Sequence, residues 1–272
     1  MMARDLVGRI AVITGASSGI GHKTALAFAH EGIHCVLAAR RADRLAQVAQ
    51  EVRALGAAAL VLPTDVAQPD QIHAMVTETV RQFGRIDILV NNAGFGIFAR
   101  VDQTTAEEIQ RIFAVNFFGT FHATQAVLPV MRRQGHGHII NVSSVAGKRG
   151  LPFSGAYCAT KFAMNGLTES LRAEMAGTGI QVSLVCPVGT LTEFFEVAES
   201  KIDRKALPMG FMQTADHVAN RILKCVRRPR AEVLPLRLSR IYILMSALAP
   251  GLVDRAMRSA VKRFRRGLQT EA

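Results

Sequence analysis

The sequence predicts an α/β fold in which a doubly wound, parallel sheet of seven strands carries helices on both faces, followed by a C-terminal helical extension. Short apolar segments alternate with amphipathic segments of about ten or more residues, which is typical of parallel strands joined by helical crossovers. The 272 residues are 49% hydrophobic but only 6% aromatic, so the core is built mainly from aliphatic residues, as in buried parallel sheets. Because no linker or change of composition precedes Leu236, we expect one domain over residues 1–236 and an extension over residues 237–272.

The seven expected strands are short apolar runs, most of them ending in a small or polar residue. They cover residues 9–14, 33–39, 57–63, 86–91, 138–143, 180–186 and 231–236.

The intervening helices are predicted from apolar residues that recur on one face, as Leu45, Val48 and Val52 do in the second. Pro69 suits the first turn of the third helix, and Thr214 suits the N-cap of the last helix before residue 236. The expected helices cover residues 20–31, 43–55, 69–83, 105–133 as one or two helices, 156–175 and 214–227.

The net charge of +12 is concentrated at the C-terminus. From Lys224 to the end there are 12 Lys and Arg against 3 Asp and Glu, which leaves the rest of the chain nearly neutral. A nucleic-acid-binding protein would carry its basic residues more evenly, so we expect no nucleic-acid partner. No signal-like or membrane-spanning apolar run and no Cys–His metal spacing is present, and the four cysteines are expected to be free thiols in the cytoplasm.

A glycine-rich segment directly follows the first strand and precedes the first helix. Gly15 suits a tight turn, Gly19 permits close approach of the backbone to a pyrophosphate, and Gly21 lets the helix pack near the strand. The helix N-terminus offers free N–H groups and a positive dipole end to phosphate. This position in the chain favours a dinucleotide site over an ordinary turn, with these expected contacts: Gly15, Ser17, Ser18, Gly19, Ile20 and Gly21.

The end of the second strand bears on the choice of dinucleotide. A site for NAD usually has an acidic residue there, whereas this chain has Arg40 and Arg41. A guanidinium from Arg40 can pair with a 2′-phosphate, so NADP(H) is preferred over NAD(H); the alternative is a solvated arginine pair. Asp65 and Val66 follow the third strand, where Asp65 is placed either to accept from the adenine amino group or to cap the next helix.

Several polar residues are expected at the same rim of the sheet, outside the carboxyl ends of the strands. Asn92, Ala93 and Gly94 follow the fourth strand, and Ser144 follows the fifth. Tyr157 and Lys161 are four residues apart on a helix, so their side chains share a face. A free tyrosine has a pKa near 10, and an ammonium group within reach lowers it, while a serine hydroxyl can hold a carbonyl oxygen as charge develops. These residue types together predict proton transfer that accompanies hydride transfer to a carbonyl carbon.

In this combination the chain resembles the short-chain dehydrogenases/reductases, which have a Rossmann-like fold. The motifs that carry the resemblance are Thr14-Gly15-x-x-x-Gly19-x-Gly21, Asn91-Asn92-Ala93-Gly94, Asn116, Ser144 and Tyr157-x-x-x-Lys161. The resemblance covers about residues 7–236. It implies that Asn116, Ser144, Tyr157 and Lys161 are catalytic, with Asn116 kinking its helix and holding a water that leads to Lys161.

The resemblance also implies cofactor contacts after the sixth strand. Pro187 and Thr192 match the family pattern, but Val188 stands where the family usually has glycine, and a Cβ restricts the backbone there. The chain therefore departs from the family pattern at the expected contact to the nicotinamide carboxamide, near residues 188–190.

Apolar residues flank the predicted catalytic rim and indicate a lipophilic carbonyl or alcohol of steroid, retinoid or fatty type. They are Phe95, Phe98, Val145, Leu151, Phe153, Val188, Phe194, Phe195 and Phe211. Two alternatives are a 3-oxoacyl thioester as substrate and a non-catalytic dinucleotide sensor on the same fold. A sensor commonly lacks the Tyr or the Lys, and both are present here.

The extension is predicted to form a basic amphipathic helix after an apolar run over residues 238–249. Leu252, Val253, Ala256, Met257, Ala260, Val261 and Phe264 line one face, and Arg255, Arg258, Lys262, Arg263 and Arg266 mostly occupy the other. Such a helix suits peripheral contact with an anionic membrane, or a cover over the pocket, or a dimer contact. The resemblance implies a homo-oligomer, a dimer or a tetramer, formed through the helices near 105–133 and 156–175.

Overall fold

The computed structural model describes the backbone of residues 6–202 and 212–270, and their side chains apart from those of residue 260 and residues 263–270. Its centre is a parallel sheet of seven strands in the order β11-β7-β6-β4-β1-β2-β3. These strands are β1 Ile10–Thr14, β2 His34–Ala39, β3 Ala59–Pro63, β4 Ile88–Asn91, β6 Gly137–Val142, β7 Ile180–Val185 and β11 Glu232–Val233. The predicted doubly wound sheet is confirmed.

The helices cover both faces of this sheet. They are α1 Gly19–Ala29, α2 Ala42–Ala54, α3 Pro69–Phe83, α4 Ala106–Phe113, α5 Gly119–Gln134, α6 Gly155–Glu174, α7 Phe194–Val197, α8 Ala215–Arg227, α9 Ser239–Leu248 and α10 Pro250–Thr270. Within the described ranges, none of these helices is both long enough and apolar enough to cross a bilayer.

Two hydrophobic cores arise because successive strand residues point to opposite faces. Ala11 and Ile13 face the core formed with α1, α2 and α8, whereas Ile10 and Val12 face the core formed with α3, α5 and α6. Because β1 lies between β2 and β4, the chain reverses its direction across the sheet beside β1. Ligands of such sheets bind in the crevice outside the carboxyl ends of the strands at this point.

The structure corrects several predicted boundaries. The third strand begins at Ala59 instead of residue 57, and the seventh is reduced to two residues. The helical stretch 105–133 is two helices joined by a π-helical turn, Ala114–Phe118. Four short strands were not predicted: β5 Ile97–Phe98 pairs with β9 Glu199–Ser200, and β8 Gly189–Leu191 pairs with β10 Met212–Thr214. Pro250, which ends the apolar run, also begins α10.

At the amino ends of the central strands, Asp87 joins three segments of the chain. Its carboxylate accepts hydrogen bonds from the Ile10 amide at 2.9 Å and from the Arg85 guanidinium at 2.5 Å, and it lies 3.1 Å from His136. Burial alone would raise the pKa of this carboxyl, but these hydrogen bonds outweigh it and lower the pKa below its usual value. The side chain is 1% exposed, so its charge depends on these partners.

Replacing Asp87 with Asn is expected to reduce the free energy of unfolding by about 1–3 kcal/mol at neutral pH, since charge-assisted hydrogen bonds are lost. Because the folded-state pKa of Asp87 is lowered, its contribution is present above the unfolded pKa of about 3.9 and is lost as the pH falls toward the folded value. Urea unfolding from neutral to acidic pH would measure this. Wild type and Asp87→Asn should converge in stability at low pH; a constant difference would contradict the assignment.

Candidate active site

A cavity of about 990 Å³ opens at the carboxyl ends of β1, β4 and β6 and extends to α9 and α10. It brings together most of the residues predicted for the site. Those lining it are Gly15, Ser17, Ser18, Gly19, Ile20, Arg40, Asp65, Val66, Asn92, Ala93, Gly94, Ser144, Tyr157, Lys161, Pro187 and Thr192. Gly21 and Asn116 are not among the lining residues, but Gly21 packs against Gly15 and Asn116 is hydrogen-bonded to Phe95, both of which line the cavity.

The glycine-rich loop, residues 15–18 with the first turn of α1, is packed too closely for side chains at two positions. A Cβ on Gly21 would collide with the Gly15 carbonyl oxygen, so α1 could not approach the loop as it does. Gly15 has a φ of 66°, and a Cβ there would lie 2.8 Å from the Ala93 Cα. The glycines thus hold the loop against the end of β4.

Asn92 and Thr14 fasten the ends of β1 and β4 to each other. The Asn92 side-chain amide donates to the carbonyl oxygens of Thr14 at 3.0 Å and Gly15 at 3.2 Å. The Thr14 hydroxyl accepts from the backbone amides of Asn92 and Ala93. The floor of the cavity is therefore fixed by hydrogen bonds between the two strands that flank the crevice.

The N-terminus of α1 fits a phosphate group. The N-cap residue Ser18 makes no side-chain capping bond, and the first turn holds no acidic residue. The first amides of a helix have no partner within the helix, so they remain available to an anion in the cavity.

Arg41 contacts the loop from the end of β2. Its guanidinium donates to the Ser18 hydroxyl at 2.9 Å, to the Ser17 hydroxyl at 3.3 Å, and to the Glu193 carboxylate at 3.1 Å. Arg40, the residue predicted for a 2′-phosphate, lines the cavity as well and is exposed. The contact between Arg41 and Glu193 could not be predicted, because the two residues are distant from each other in sequence.

Asp65 lines the other side of the cavity. Its carboxylate accepts from the Ala67 amide at 3.0 Å, and its own amide donates to the Gln71 side chain at 2.7 Å. The N-cap of α3 is Gln68, so Asp65 orders the preceding turn and is not the cap that one alternative expected. Its remaining oxygen is compatible with the other alternative, acceptance from an adenine amino group.

Tyr157 and Lys161 lie on α6 and reach the cavity beside Ser144. The Lys161 ammonium is 5.7 Å from the centre of the Tyr157 ring and donates to the Val142 carbonyl oxygen at 2.9 Å. The Ser144 hydroxyl accepts from the Ala146 amide at 3.1 Å, which holds it at the end of β6. The three side chains predicted from their spacing are therefore adjacent.

Burial dominates the pKa values of this group. It raises the pKa of the Tyr157 phenol above its usual value, and a hydrogen bond with Ser144 acts in the opposite direction. Burial also lowers the pKa of the Lys161 ammonium to about 8. The spacing of the two residues predicts that Lys161 lowers the pKa of Tyr157, but in the protein alone desolvation of the phenol is the larger effect. In the protein alone, the phenol is therefore protonated at neutral pH.

Asn116 lies in the π-helical turn and is fully buried. Its amide donates to the Phe95 carbonyl at 2.9 Å and to the Thr160 hydroxyl at 3.2 Å, and its side-chain oxygen accepts from the Phe95 amide at 3.0 Å. A Cβ on Gly94 would lie 3.1 Å from that oxygen and 3.8 Å from the Lys161 ammonium. Asn116 therefore ties the segment after β4 to the helix that bears Tyr157 and Lys161.

The comparison with known protein families agrees with the motifs of this chain. A family model described as short chain dehydrogenase matches residues 9–203, which is most of the chain. The chain belongs to the short-chain dehydrogenase family. As a member of this family, it is an oxidoreductase.

Individual members of the family are similar over most of their length. The chain is 33% identical to "Ketoacyl reductase HetN" from Nostoc sp. over 259 residues, 93% of this chain and 89% of the relative. A short chain dehydrogenase/reductase from Burkholderia phymatum, solved in complex with NAD, superposes with a TM-score of 0.85 at 28% identity, covering 92% and 96% of the two chains. An alcohol dehydrogenase from Thermococcus sibiricus, complexed with 5-hydroxy-NADP, has a TM-score of 0.74 at 28% identity, covering 83% and 95%.

Val188 departs from the short-chain dehydrogenase pattern without straining the backbone. It lies outside the left-handed region, which Phe153 alone enters among the described non-glycine residues. Its carbonyl oxygen accepts from the Thr190 hydroxyl at 3.0 Å, so the segment turns immediately after Pro187. Thr192 then reaches the glycine-rich loop, where a Cβ on Gly19 would lie 3.1 Å from it.

The wall of the cavity beside Tyr157 is apolar. The Phe194 ring packs edge-on against Tyr157 with 5.5 Å between ring centres, and Phe98 stacks on Phe195. Phe153 has a φ of 61°, a conformation that bulky residues rarely adopt and that clusters at functional sites. Of the other residues predicted for this wall, Phe95, Val145, Leu151 and Val188 line the cavity, and Phe211 lies outside the described residues.

Proposed function

We propose that this chain is an NADP(H)-dependent oxidoreductase that transfers a hydride between nicotinamide and the carbonyl carbon of a lipophilic substrate, with Tyr157 as general acid and base. The adjacency of Tyr157, Ser144 and Lys161 in a cavity shared with the glycine-rich loop carries this proposal. Together with Asn116, these are the proposed catalytic residues. The predicted loop, rim and strand-end residues that line the same cavity are the proposed cofactor contacts.

The fit of a nicotinamide dinucleotide rests on the uncapped N-terminus of α1 and on the glycines that keep side chains out of its approach. Residues 15–21 would hold the pyrophosphate, Asp65 and Val66 the adenine, and Asn92 to Gly94 the ribose. Bound nicotinamide supplies or accepts the hydride. The known structures of the two similar proteins contain NAD and an NADP derivative respectively, so they support the dinucleotide without deciding the preference.

The preference for NADP(H) is proposed from the end of β2. Arg40 and Arg41 both line the cavity there, and neither is next to an acidic residue of its own strand end. A ribose 2′-hydroxyl would find no carboxylate from β2. A 2′-phosphate would find the Arg40 guanidinium and that of Arg41, which it would share with the Glu193 carboxylate.

The proton steps follow from the three side chains. As hydride reaches the carbonyl carbon, negative charge develops on the substrate oxygen. The Ser144 hydroxyl donates a hydrogen bond to that oxygen, and the Tyr157 phenol delivers its proton to it. Lys161, whose ammonium is held by the Val142 carbonyl, stabilises the phenolate that remains. Asn116 keeps α6 and the Phe95 segment in register for this transfer.

The pH dependence of kcat/KM for carbonyl reduction is expected to be level at neutral pH and to fall as the pH rises through about 8. Lys161 loses its proton over this range, and with it the charge that stabilises the Tyr157 phenolate. Tyr157 itself remains protonated there because its pKa is raised. A Lys161→Met variant should show low activity without this decline. A wild-type profile that stays level far into the alkaline range would contradict the prediction.

The substrate class is proposed from the cavity wall. Phe98, Phe194 and Phe195 form an aromatic cluster beside Tyr157, and Leu238 and Met257 close the far end. Burial of apolar surface in such a pocket favours a lipophilic carbonyl or alcohol of steroid, retinoid or fatty type. A 3-oxoacyl thioester is the second candidate, since a similar protein bears the name ketoacyl reductase.

A panel of carbonyl substrates tests this proposal by NADPH oxidation. We expect kcat/KM to rise with apolar size, by about fourfold for each buried methylene group, until the cavity is filled. A steep preference for thioesters over free ketones of the same chain length would select the second candidate. Preference for small polar sugars would contradict both.

We further propose that the chain forms a homo-oligomer and acts in the cytoplasm, with peripheral membrane contact through its C-terminal extension. Phe118 and Phe162 are about half exposed in the helical regions predicted for subunit contact. The four cysteines are buried free thiols, as expected in a reducing compartment. The division into residues 1–236 and 237–272 stays a prediction.

A further inference from the structure

The helix α9 is apolar on two opposite sides. On its inner side, Ile243 packs against Leu184, Cys186 and Leu234 of the main sheet region. Arg240 is the one charged residue among its ten residues. A helix that is apolar all round is normally buried on all sides, so the outer side of α9 calls for a partner.

That outer side and the start of α10 form a continuous surface of large apolar residues, which we call the outer apolar patch. Its members are between 43% and 82% exposed: Leu238, Ile241, Leu244, Met245, Leu248 and Leu252. On the α9 helix, positions 241, 245 and 248 follow the three- and four-residue spacing of one face. Contiguous apolar surface of this kind marks a protein or membrane contact.

Exposed basic side chains lie on the same two helices as the outer apolar patch. Exposed cations come from both helices and from the residues just before α9: Arg237, Arg240, Arg255, Arg258 and Lys262. The one acidic side chain described in these two helices, Asp254, is paired with Arg149 of the catalytic region. A second copy of this chain would bring the same cations against each other, whereas an anionic lipid surface is complementary to them.

We infer that the outer apolar patch docks on the surface of an anionic bilayer, with α9 lying in the plane of the interface. The ten residues of α9 are about 15 Å long, too short to span the hydrocarbon core, which takes about 20 residues. Apolar side chains enter the boundary between headgroups and acyl chains, and the flanking cations pair with lipid phosphates or carboxylates.

The same two helices connect this contact to the cavity. Tyr242, Met257 and Val261 line its far end, and Leu238 of the outer apolar patch reaches it as well. The membrane contact therefore lies on the outside of the wall whose inside faces the substrate. A lipophilic substrate dissolved in the bilayer would enter at this end and reach Tyr157 from the side of Phe194. This part of the inference rests on the proposed hydride transfer to a lipophilic substrate. The docking specifies the surface for the proposed peripheral membrane contact and can be tested without catalysis.

Flotation of the full chain with vesicles tests the docking. Vesicles of phosphatidylcholine mixed with phosphatidylserine are compared with vesicles of phosphatidylcholine alone. We expect the wild type to float with the mixed vesicles at low salt, and Ile241→Glu/Leu248→Glu to partition at least about tenfold less. Arg255→Glu/Arg258→Glu should lose binding to a similar degree, and salt should weaken the wild type. Val7→Glu is the control for placing a carboxylate at an exposed apolar position. Val7 lies just before β1, at the amino ends of the strands.

The outcomes separate docking from catalysis. Ile241→Glu/Leu248→Glu should retain wild-type kcat/KM on a water-soluble carbonyl and lose activity on a carbonyl embedded in mixed vesicles. Flotation without turnover of any carbonyl would leave the docking standing and reject the proposed function. Failure of the wild type to float would overturn the docking. So would a dimer in sedimentation that Ile241→Glu/Leu248→Glu dissolves while lipid partitioning stays unchanged.

Discussion

Tyr157→Phe is expected to reduce kcat for carbonyl reduction by about 10²- to 10⁴-fold, because it removes the group that delivers the proton to the substrate oxygen. The ring is kept, so its edge-on contact with Phe194 and the packing of α6 should survive. Affinity for NADPH, measured by quenching of its fluorescence, should change little. The effect therefore belongs in kcat and not in the binding of the dinucleotide.

The second tyrosine of the chain provides the matched control. Tyr242 lines the far end of the same cavity, and Tyr242→Phe likewise removes one hydroxyl from one ring. This variant should retain most of the wild-type kcat, with any change appearing in KM for the carbonyl. If Tyr157→Phe retained full activity, or if both variants lost it equally, the assigned role of Tyr157 would be wrong.

The sheet and its site could be predicted because their determinants are local in sequence. Alternating apolar runs specify buried parallel strands, and the order of elements then places Ser144 and the glycine-rich loop on one rim. Tyr157 and Lys161 share a face because a helix brings residues four apart together. None of these inferences required knowledge of how distant segments pack.

The strap formed by residues 189–193 could not be predicted for the opposite reason. It contains β8, which pairs with β10 over three residues and carries no periodic signal. The two-residue pair of β5 with β9, outside this segment, could not be predicted for the same reason. Only tertiary packing brings Thr192 against Gly19 and Glu193 against Arg41, which are 152 positions apart. The strand end that seemed to lack a carboxylate thus receives one from elsewhere in the chain.

The helical regions likewise have features that local periodicity predicts and features that depend on tertiary contacts. Periodicity predicted helix over 105–133, but it could not reveal the π-helical turn around Asn116, which depends on hydrogen bonds to Phe95 and Thr160. Similarly, the apolar run before Pro250 was visible in sequence, but which of its residues face outward was not. Packing of Ile243 against the sheet region decides that orientation.

Arg41→Ala is expected to reduce kcat/KM for NADPH by about 10²-fold while leaving the value for NADH nearly unchanged. Hydrogen bonds to a charged group contribute about 1.5–3 kcal/mol each, and a 2′-phosphate is the part of NADPH that NADH lacks. Arg41 already holds a carboxylate at 3.1 Å and two loop hydroxyls, so its guanidinium lies at the mouth of the glycine-rich loop. Steady-state kinetics with both cofactors measures the ratio directly.

Glu193 should weaken the preference for NADPH that Arg41 confers. Its carboxylate occupies the guanidinium and would repel a 2′-phosphate, so Glu193→Gln is expected to increase the preference for NADPH. Arg40→Ala removes the other proposed contact to the phosphate and shows whether the two arginines share it. An equal loss with NADPH and NADH in Arg41→Ala would mean that Arg41 only supports Ser17 and Ser18. In that case the basis for preferring NADP(H) would move to Arg40 or fall away.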